Sequence, residues 1–194
     1  QILQSAGLGS KPLRLRVITF NLGDNKKTQE QWSVELAKWK EINRFDYDIL
    51  SFALQEDFAD MFAVGHLMNA LSSLLIKNGF KTAAIDGTKP LKFNEQFAVK
   101  AATFIQSRIY NHSFIPPKTY LGKKSICIGS GIKRLACTKA SVGISIRLGA
   151  PYNLHYTFIG SHMPIETSKD DLGFQARINA MNQTVNNVVK PLVF

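Results

Sequence analysis

The chain has 194 residues, 45% of them hydrophobic, so it can bury the core of one domain of ordinary size. Its apolar stretches are too short or too interrupted to cross a bilayer, and its two cysteines, Cys127 and Cys137, suggest neither a disulfide framework nor a structural zinc site. We therefore expect a soluble protein of a reducing, cytoplasmic compartment, although the sequons at Asn111 and Asn182 leave secretion open.

Positive charge dominates the composition. The chain carries 24 Lys and Arg against 14 Asp and Glu, a net charge of +10, and between residues 87 and 165 there is a single acid, Glu95. Such a field favours polyanions: nucleic acid, an anionic membrane face or a multiply phosphorylated small molecule. A solvated basic surface without a ligand is the simpler interpretation of charge alone, so a site must be argued from particular positions.

Strand and helix patterns alternate in the first part of the chain. Residues 1–12 contain Gly, Ser and Pro with little periodicity, which indicates an N-terminal arm before a single domain over 13–194. Trp32, Leu36, Trp39 and Ile42 recur about once per helical turn, as in an amphipathic helix. The predicted elements are a strand over 13–22, a helix over 28–43, a buried strand over 48–54 and a helix over 61–77.

From residue 80 onward, β-branched and aromatic runs predict consecutive strands. The runs are FAVKAATFI, SICIG, SVGISIRL and LHYTFIGS, separated by Pro, Gly and Asn clusters. Helical spacing returns over 169–189, where one apolar stripe is predicted to face the core: Phe174, Ile178, Met181, Val185 and Val188. Mixed strands and helices in this order predict sheets covered by helices.

Three apolar runs each finish in one polar side chain. Asn21 ends the first predicted strand, Glu56 follows the second, and His162 follows the last. Ends of strands are where such folds gather their chemistry, and Mg²⁺ binds a few carboxylate or amide oxygens together with water and phosphate. Each residue taken alone has a simpler interpretation, as a turn residue, an exposed acid or a structural histidine. Only the set predicts a site.

Two basic side chains are further candidates. Lys139 enters a predicted strand through small residues, which would let its ammonium approach a bulky anion, although a plain loop lysine is the simpler interpretation. Arg177 lies on the last predicted helix, where a solvent-facing arginine is the expected interpretation.

Four segments in this order, VITFNLG, DILSFALQED, TKASVGISIRL and FIGSHMPIE, resemble the successive motifs of the inositol polyphosphate 5-phosphatases of the endonuclease/exonuclease/phosphatase superfamily. The resemblance covers roughly residues 14 to 180. It implies a mixed α/β (α+β) fold of the superfamily's type, a four-layer α/β/β/α sandwich that is incomplete in this chain.

The resemblance also implies roles for the candidates. Asn21 and Glu56 would help to hold Mg²⁺ at the scissile phosphate, Lys139 would contact substrate phosphate, and His162 would contact the phosphate being cleaved. The implied reaction is hydrolysis of a phosphomonoester by a metal-oriented water. The implied substrate is an inositol polyphosphate or a phosphoinositide, and the basic region would meet that substrate or an anionic membrane surface. Nucleic acid is the less favoured partner.

The sequence departs from the family at several positions. Thr138 replaces Asn, Ala140 and Ser141 replace paired glycines, and Met163-Pro164 replaces Leu-Ala, while the Gly-Asp-x-Asn and Ser-Asp-His motifs are absent. We expect a further segment or a second chain to complete the domain. The alternatives are an inactive phosphatase-like module that binds anions or serves as structure, and a nuclease or sphingomyelinase of the same superfamily.

Overall fold

A computed structural model describes residues 12–23, 25–39, 46–58, 65–87, 96–115, 123–127, 139–163 and 171–193. The strands are β1 (Leu15–Asn21), β2 (Ile49–Phe58), β3 (Phe80–Gly87), β4 (Gln96–Gln106), β5 (Lys123–Cys127), β6 (Ala140–Leu148) and β7 (Leu154–His162). The helices are α1 (Gln29–Leu36), α2 (His66–Lys77), α3 (Ser107–Ser113) and α4 (Asp171–Thr184), which continues through a π-helical turn (Val185–Val189) into α5 (Lys190–Val193). None of the helices in these ranges combines the length and the apolar character that a bilayer crossing requires. The predicted arm lies outside the described residues apart from Pro12.

The strands form two sheets. In the first sheet the order is β1-β2-β4-β3, with β1 and β2 parallel and the other neighbours antiparallel. In the second sheet the order is β5-β6-β7, all antiparallel. The parallel pairing brings the ends of β1 and β2 to one edge, because Asn21 lies opposite Gln55.

Two hydrophobic clusters lie on the two faces of the first sheet. Leu50, Phe52 and Leu54 of β2 pack with Trp32 of α1 and Leu71 of α2 on the outer face. On the inner face, β4 packs against the second sheet through a cluster that includes Val99, Ala101, Ile105, Val142, Ile144 and Ile146. Successive residues of a strand point to opposite faces of the sheet, so alternate residues of these strands pack into the two clusters.

The C-terminal helix covers the outer face of the second sheet. A Cβ on Gly143 of β6 would lie 2.5 Å from a methyl of Leu192 and 2.6 Å from one of Val188, so a glycine is needed for this close approach. The layers are therefore helix, sheet, sheet and helix. The predicted fold class, a mixed α/β four-layer sandwich, is confirmed.

The predicted core-facing stripe of the last helix is wrong in its register. Phe174, Met181 and Val185 are 54%, 58% and 44% exposed. Val188 alone of the predicted stripe is buried, together with Ala180, Thr184 and Leu192 at intervals of four residues. Alanine and threonine do not stand out in an apolar pattern, yet small side chains fit against a strand, and the Thr184 hydroxyl has hydrogen-bond partners there.

Other predicted boundaries also change. The helix predicted to reach residue 43 ends at Leu36, and residues 37–39 form a turn in which the Lys38 and Trp39 N–H groups donate to the Glu35 and Leu36 carbonyls. Residues 40–43 and 61–64 lie outside the described ranges. The helix α3 interrupts the predicted run of strands. The sequence did not predict it, because seven residues are too few for a helical period to be recognised.

Candidate functional site

Glu56 lies inside β2 rather than after its end, and its backbone is left-handed, with φ at 59°. Regular alternation would turn its side chain toward the helices, on the side where Leu54 packs. Instead its carboxylate lies 3.5 Å from the ring of His162 in the second sheet. The left-handed residue therefore lets two consecutive side chains, Gln55 and Glu56, both face β7.

Asp57, the next residue, is turned the other way, toward α2. Its carboxylate accepts hydrogen bonds from the Leu67 and Met68 N–H groups, both at 3.1 Å, at the start of that helix. Burial raises the pKa of Asp57 to about 6, although these bonds and the charges of His66 and Lys100 act in the opposite direction. Asp57 thus fixes α2 on the strand that carries Glu56.

His162 is the last residue of β7, and Lys139 immediately precedes β6. The two strands are antiparallel with Ala140 opposite His162, so the beginning of β6 meets the end of β7. The Lys139 Nζ lies 2.6 Å from the His162 Nε2. His162 is only 7% exposed, so the site lies at the rim of the interior.

Two groups of opposite charge, the Glu56 carboxylate and the Lys139 ammonium, contact the His162 Nε2 at this rim. Desolvation lowers the pKa of Lys139, while the negative charge of Glu56 acts in the opposite direction. A charged Lys139 ammonium would donate to the His162 Nε2 in this contact, and the Glu56 carboxylate lies 3.5 Å from the same nitrogen. A bound anion would offer the ammonium a stronger acceptor than the imidazole does.

Asn21 is at the same edge but is not part of the contact trio. It is the last residue of β1, opposite Gln55, and its side-chain oxygen accepts a hydrogen bond of 2.8 Å from the Gly23 N–H. Of the predicted site residues, the structure thus brings Glu56, Lys139 and His162 together and places Asn21 at the neighbouring strand end. Arg177 is exposed on α4.

Gln55 is a member of the site that sequence reasoning did not assign a role. It is 7% exposed, and its amide donates to the Thr19 hydroxyl at 3.0 Å and to the Ser161 carbonyl at 3.5 Å. The available signal was a polar residue at a buried position of an apolar strand. Gly160 assists, since a Cβ there would lie 2.6 Å from the Ala53 Cβ, so glycine lets β7 approach β2 closely.

The oxygen donors at this edge suit a magnesium ion that takes most of its ligands from water and phosphate. Within the described ranges, no three His, Cys, Asp or Glu side chains are grouped as metal ligands. Glu56 and Asn21 would provide one carboxylate and one amide oxygen. Mg²⁺ commonly keeps several waters and uses one or two carboxylates together with substrate phosphate, and these donors fit that pattern.

No protein-family model matches the chain, and no curated protein matches it in sequence. Among solved structures it is similar to the ferrous NO complex of Cimex nitrophorin, with 15% identity, 81% of this chain and 49% of that chain covered, and a TM-score of 0.52. A mutant of that nitrophorin, also a ferrous NO complex, gives 15% identity, 80% and 48% coverage, and a TM-score of 0.52. An endonuclease/exonuclease/phosphatase from Beutenbergia cavernae gives 13% identity, 91% and 45% coverage, and a TM-score of 0.48.

At these identities the nitrophorin likeness concerns the fold alone. The chain spans about half the length of each of these solved structures. One fold can carry unrelated functions, so the function of this chain must be argued from its site.

Proposed function

We propose that this chain is the part of a Mg²⁺-dependent phosphoric ester hydrolase of the endonuclease/exonuclease/phosphatase superfamily that carries Glu56, Lys139 and His162. The supporting observation is that the His162 Nε2 lies 3.5 Å from the Glu56 carboxylate and 2.6 Å from the Lys139 Nζ, although these residues are up to 106 positions apart. They lie in the segments that resemble the 5-phosphatase motifs.

The proposed roles are those that the resemblance to the 5-phosphatases implies. Glu56 and Asn21 would hold the magnesium ion, which when bound offsets charge on the scissile phosphate and orients the attacking water. The Lys139 ammonium would transfer its hydrogen bond from the His162 Nε2 to a phosphate oxygen. His162, in the form that carries a proton on Nε2, would donate to a phosphoryl oxygen and stabilise charge that develops there.

The proposed substrate is an inositol polyphosphate or a phosphoinositide. The net charge of +10, with a single acid between residues 87 and 165, supports an anionic ligand and a peripheral position at anionic membranes. A partly desolvated lysine suits a multiply charged phosphate, because attraction strengthens where water is excluded.

The test is release of phosphate from a soluble inositol polyphosphate, or from phosphoinositide vesicles, by the native protein in Mg²⁺, together with the segment or chain that completes the domain. Glu56→Ala and His162→Ala should each abolish release, since each removes a group that contacts metal or phosphate. Glu30→Ala and His112→Ala are matched controls at exposed helical positions and should leave release unchanged. Release that survives both site substitutions would contradict the proposal.

A further polypeptide segment is proposed to complete the domain, from a second chain or from this one. An apolar cavity of about 240 Å³ lies between β1, β2 and β7 and is lined by Val17, Phe52, Ala53, Ala101, Thr157, Phe158, Ile159 and Gly160. Strands β1 and β7 are the last strands of their sheets in the described part of the chain, and such edges can accept an added strand. A native mass of the active species equal to that of the lone 21.6 kDa chain would contradict this.

The alternative is a module that binds a ligand without catalysis. The departures from the family motifs at Thr138, Ala140 and Ser141 favour it, because they replace residues next to Lys139. A Mg²⁺ titration separates the two functions, since a module without catalysis need not bind the ion. Cleavage of DNA or of sphingomyelin instead of the inositol phosphate would point to the nuclease or sphingomyelinase alternatives.

A further inference from the structure

We propose that Gln55 is a positioning residue of this site: its side-chain amide ties β1 and β7 to β2 and so keeps His162 within reach of Glu56. The inference rests on the proposed function for its effect on turnover, but its structural part can be tested without any activity.

The geometry places one amide between three strands. Gln55 belongs to β2, the Thr19 hydroxyl that accepts its 3.0 Å bond belongs to β1, and the Ser161 carbonyl at 3.5 Å belongs to β7 in the other sheet. The Ala53 carbonyl also lies at 3.5 Å. A primary amide has two N–H groups, so it can serve the strand beside it and the sheet opposite it at once.

Apolar residues lie on one side of this link. Ala53 and Gly160 are in contact on one side, and the cavity lined by Val17 and Phe158 lies next to them. A buried polar group in such a setting must be hydrogen-bonded, and losing its partners is costly. The Gln55 amide therefore fixes the separation of the sheets at this point more strictly than apolar packing would.

The end of β7 is held from its other face as well. The Ser161 hydroxyl lies 2.8 Å from that of Ser141, which lies 2.7 Å from the hydroxyl of Thr184 on α4. The Ser161 side chain is thus fixed by the outer helix, and its carbonyl by Gln55. Because His162 is the next residue, its ring position depends on both attachments. Gln55 is the attachment that comes from the strand of Glu56.

The test compares two buried polar groups of the same strand. Gln55→Leu keeps the bulk of the side chain and removes both N–H donors. The matched control is Ser51→Ala, which removes the buried 3.2 Å hydrogen bond between Ser51 of β2 and Thr103 of β4, away from the site. The structural readout is the nuclear Overhauser effect between the His162 ring and the Glu56 side chain in the full chain.

Gln55→Leu should weaken this effect at least about twofold and lower kcat about tenfold or more, with KM nearly unchanged, since displacement of about 1 Å at a catalytic group is enough for such losses. Ser51→Ala should change neither. An unchanged Overhauser effect in Gln55→Leu, or an equal loss of kcat in both variants, would overturn the inference.

Two further variants keep the test decisive. Should Gln55→Leu fail to fold, Thr19→Val removes only the acceptor at an exposed position and should lower kcat, whereas Thr19→Ser retains the hydroxyl and should restore it. Equal values for the two Thr19 variants would then refute the inference. Should no variant hydrolyse phosphate while Gln55→Leu still weakens the Overhauser effect, the proposed function fails and the positioning role of Gln55 stands.

Discussion

Replacing Glu56 by glycine should leave the protein more stable than replacing it by alanine. Glu56 has a left-handed backbone, with φ at 59°, and among the described residues only Asn153 is another non-glycine residue with positive φ. Both substitutions remove the same carboxylate and its contact with His162. The difference in unfolding free energy between the two variants therefore measures the cost of the left-handed backbone.

The magnitude follows from two opposing terms. Any residue with a Cβ costs about 1–2 kcal/mol in the left-handed region, and glycine does not. Glycine has more freedom in the unfolded chain, which lowers its relative stability by about 0.5–1 kcal/mol. The net advantage of Glu56→Gly over Glu56→Ala should be about 0.5–1 kcal/mol, opposite in sign to the order at an ordinary strand position.

Urea unfolding followed by circular dichroism measures the free energies with sufficient precision. Lys81, an exposed residue of β3 with an ordinary φ, is the matched control, and there the glycine variant should be about 0.5–1 kcal/mol less stable than the alanine variant. If both positions show the same order, the left-handed conformation of Glu56 is refuted, and with it the explanation of how its carboxylate reaches His162.

Three further outcomes are expected in the same unfolding assay. Burial raises the pKa of Asp57 from 3.8 to about 6, so between these pH values the folded protein holds a proton that the unfolded chain releases. The stability that this proton provides is fully present below about pH 4. About 3 kcal/mol of it is lost as the pH rises to about 6. The difference in stability between wild type and Asp57→Asn should fall over that window, and a flat difference would contradict the assignment. Gly160→Ala should cost about 1–3 kcal/mol, because its Cβ would overlap that of Ala53, and a neutral result would mean that β7 is not so close to β2. Thr28→Ala should cost about 1 kcal/mol by removing the capping box that Thr28 forms with Gln31 at the start of α1, with no loss expected if that box does not form.

The sequence was informative wherever a pattern had one physical reading. The apolar pattern over 13–22 and the β-branched and aromatic run LHYTFIGS identified the strands that carry Asn21 and His162. The convergence of strand ends is a general property of sheets covered by helices. The proximity of Lys139 to His162 could have been predicted from an antiparallel pairing of the two consecutive strands that bear them.

Other features depend on the fold as a whole. Alternation alone would send Glu56 toward the helices, and no local pattern indicates its left-handed backbone. The role of Gln55 appears only when the second sheet is in place. The register of the last helix was predicted wrongly because its spacing favoured the large residues Phe174 and Met181, whereas the strand beneath accommodates small ones such as Ala180.

The central claim is that Glu56 and His162 belong to one site that binds a metal. Its most direct test is the broadening of histidine ring signals in NMR spectra by Mn²⁺, which binds the same oxygen ligands as Mg²⁺. The His162 ring should broaden at low Mn²⁺, whereas His155, seven residues earlier on β7 and about 23 Å away at about 3.3 Å per residue, should not. Glu56→Ala should abolish the broadening of His162. Equal broadening of both rings, or none at His162, would contradict the account.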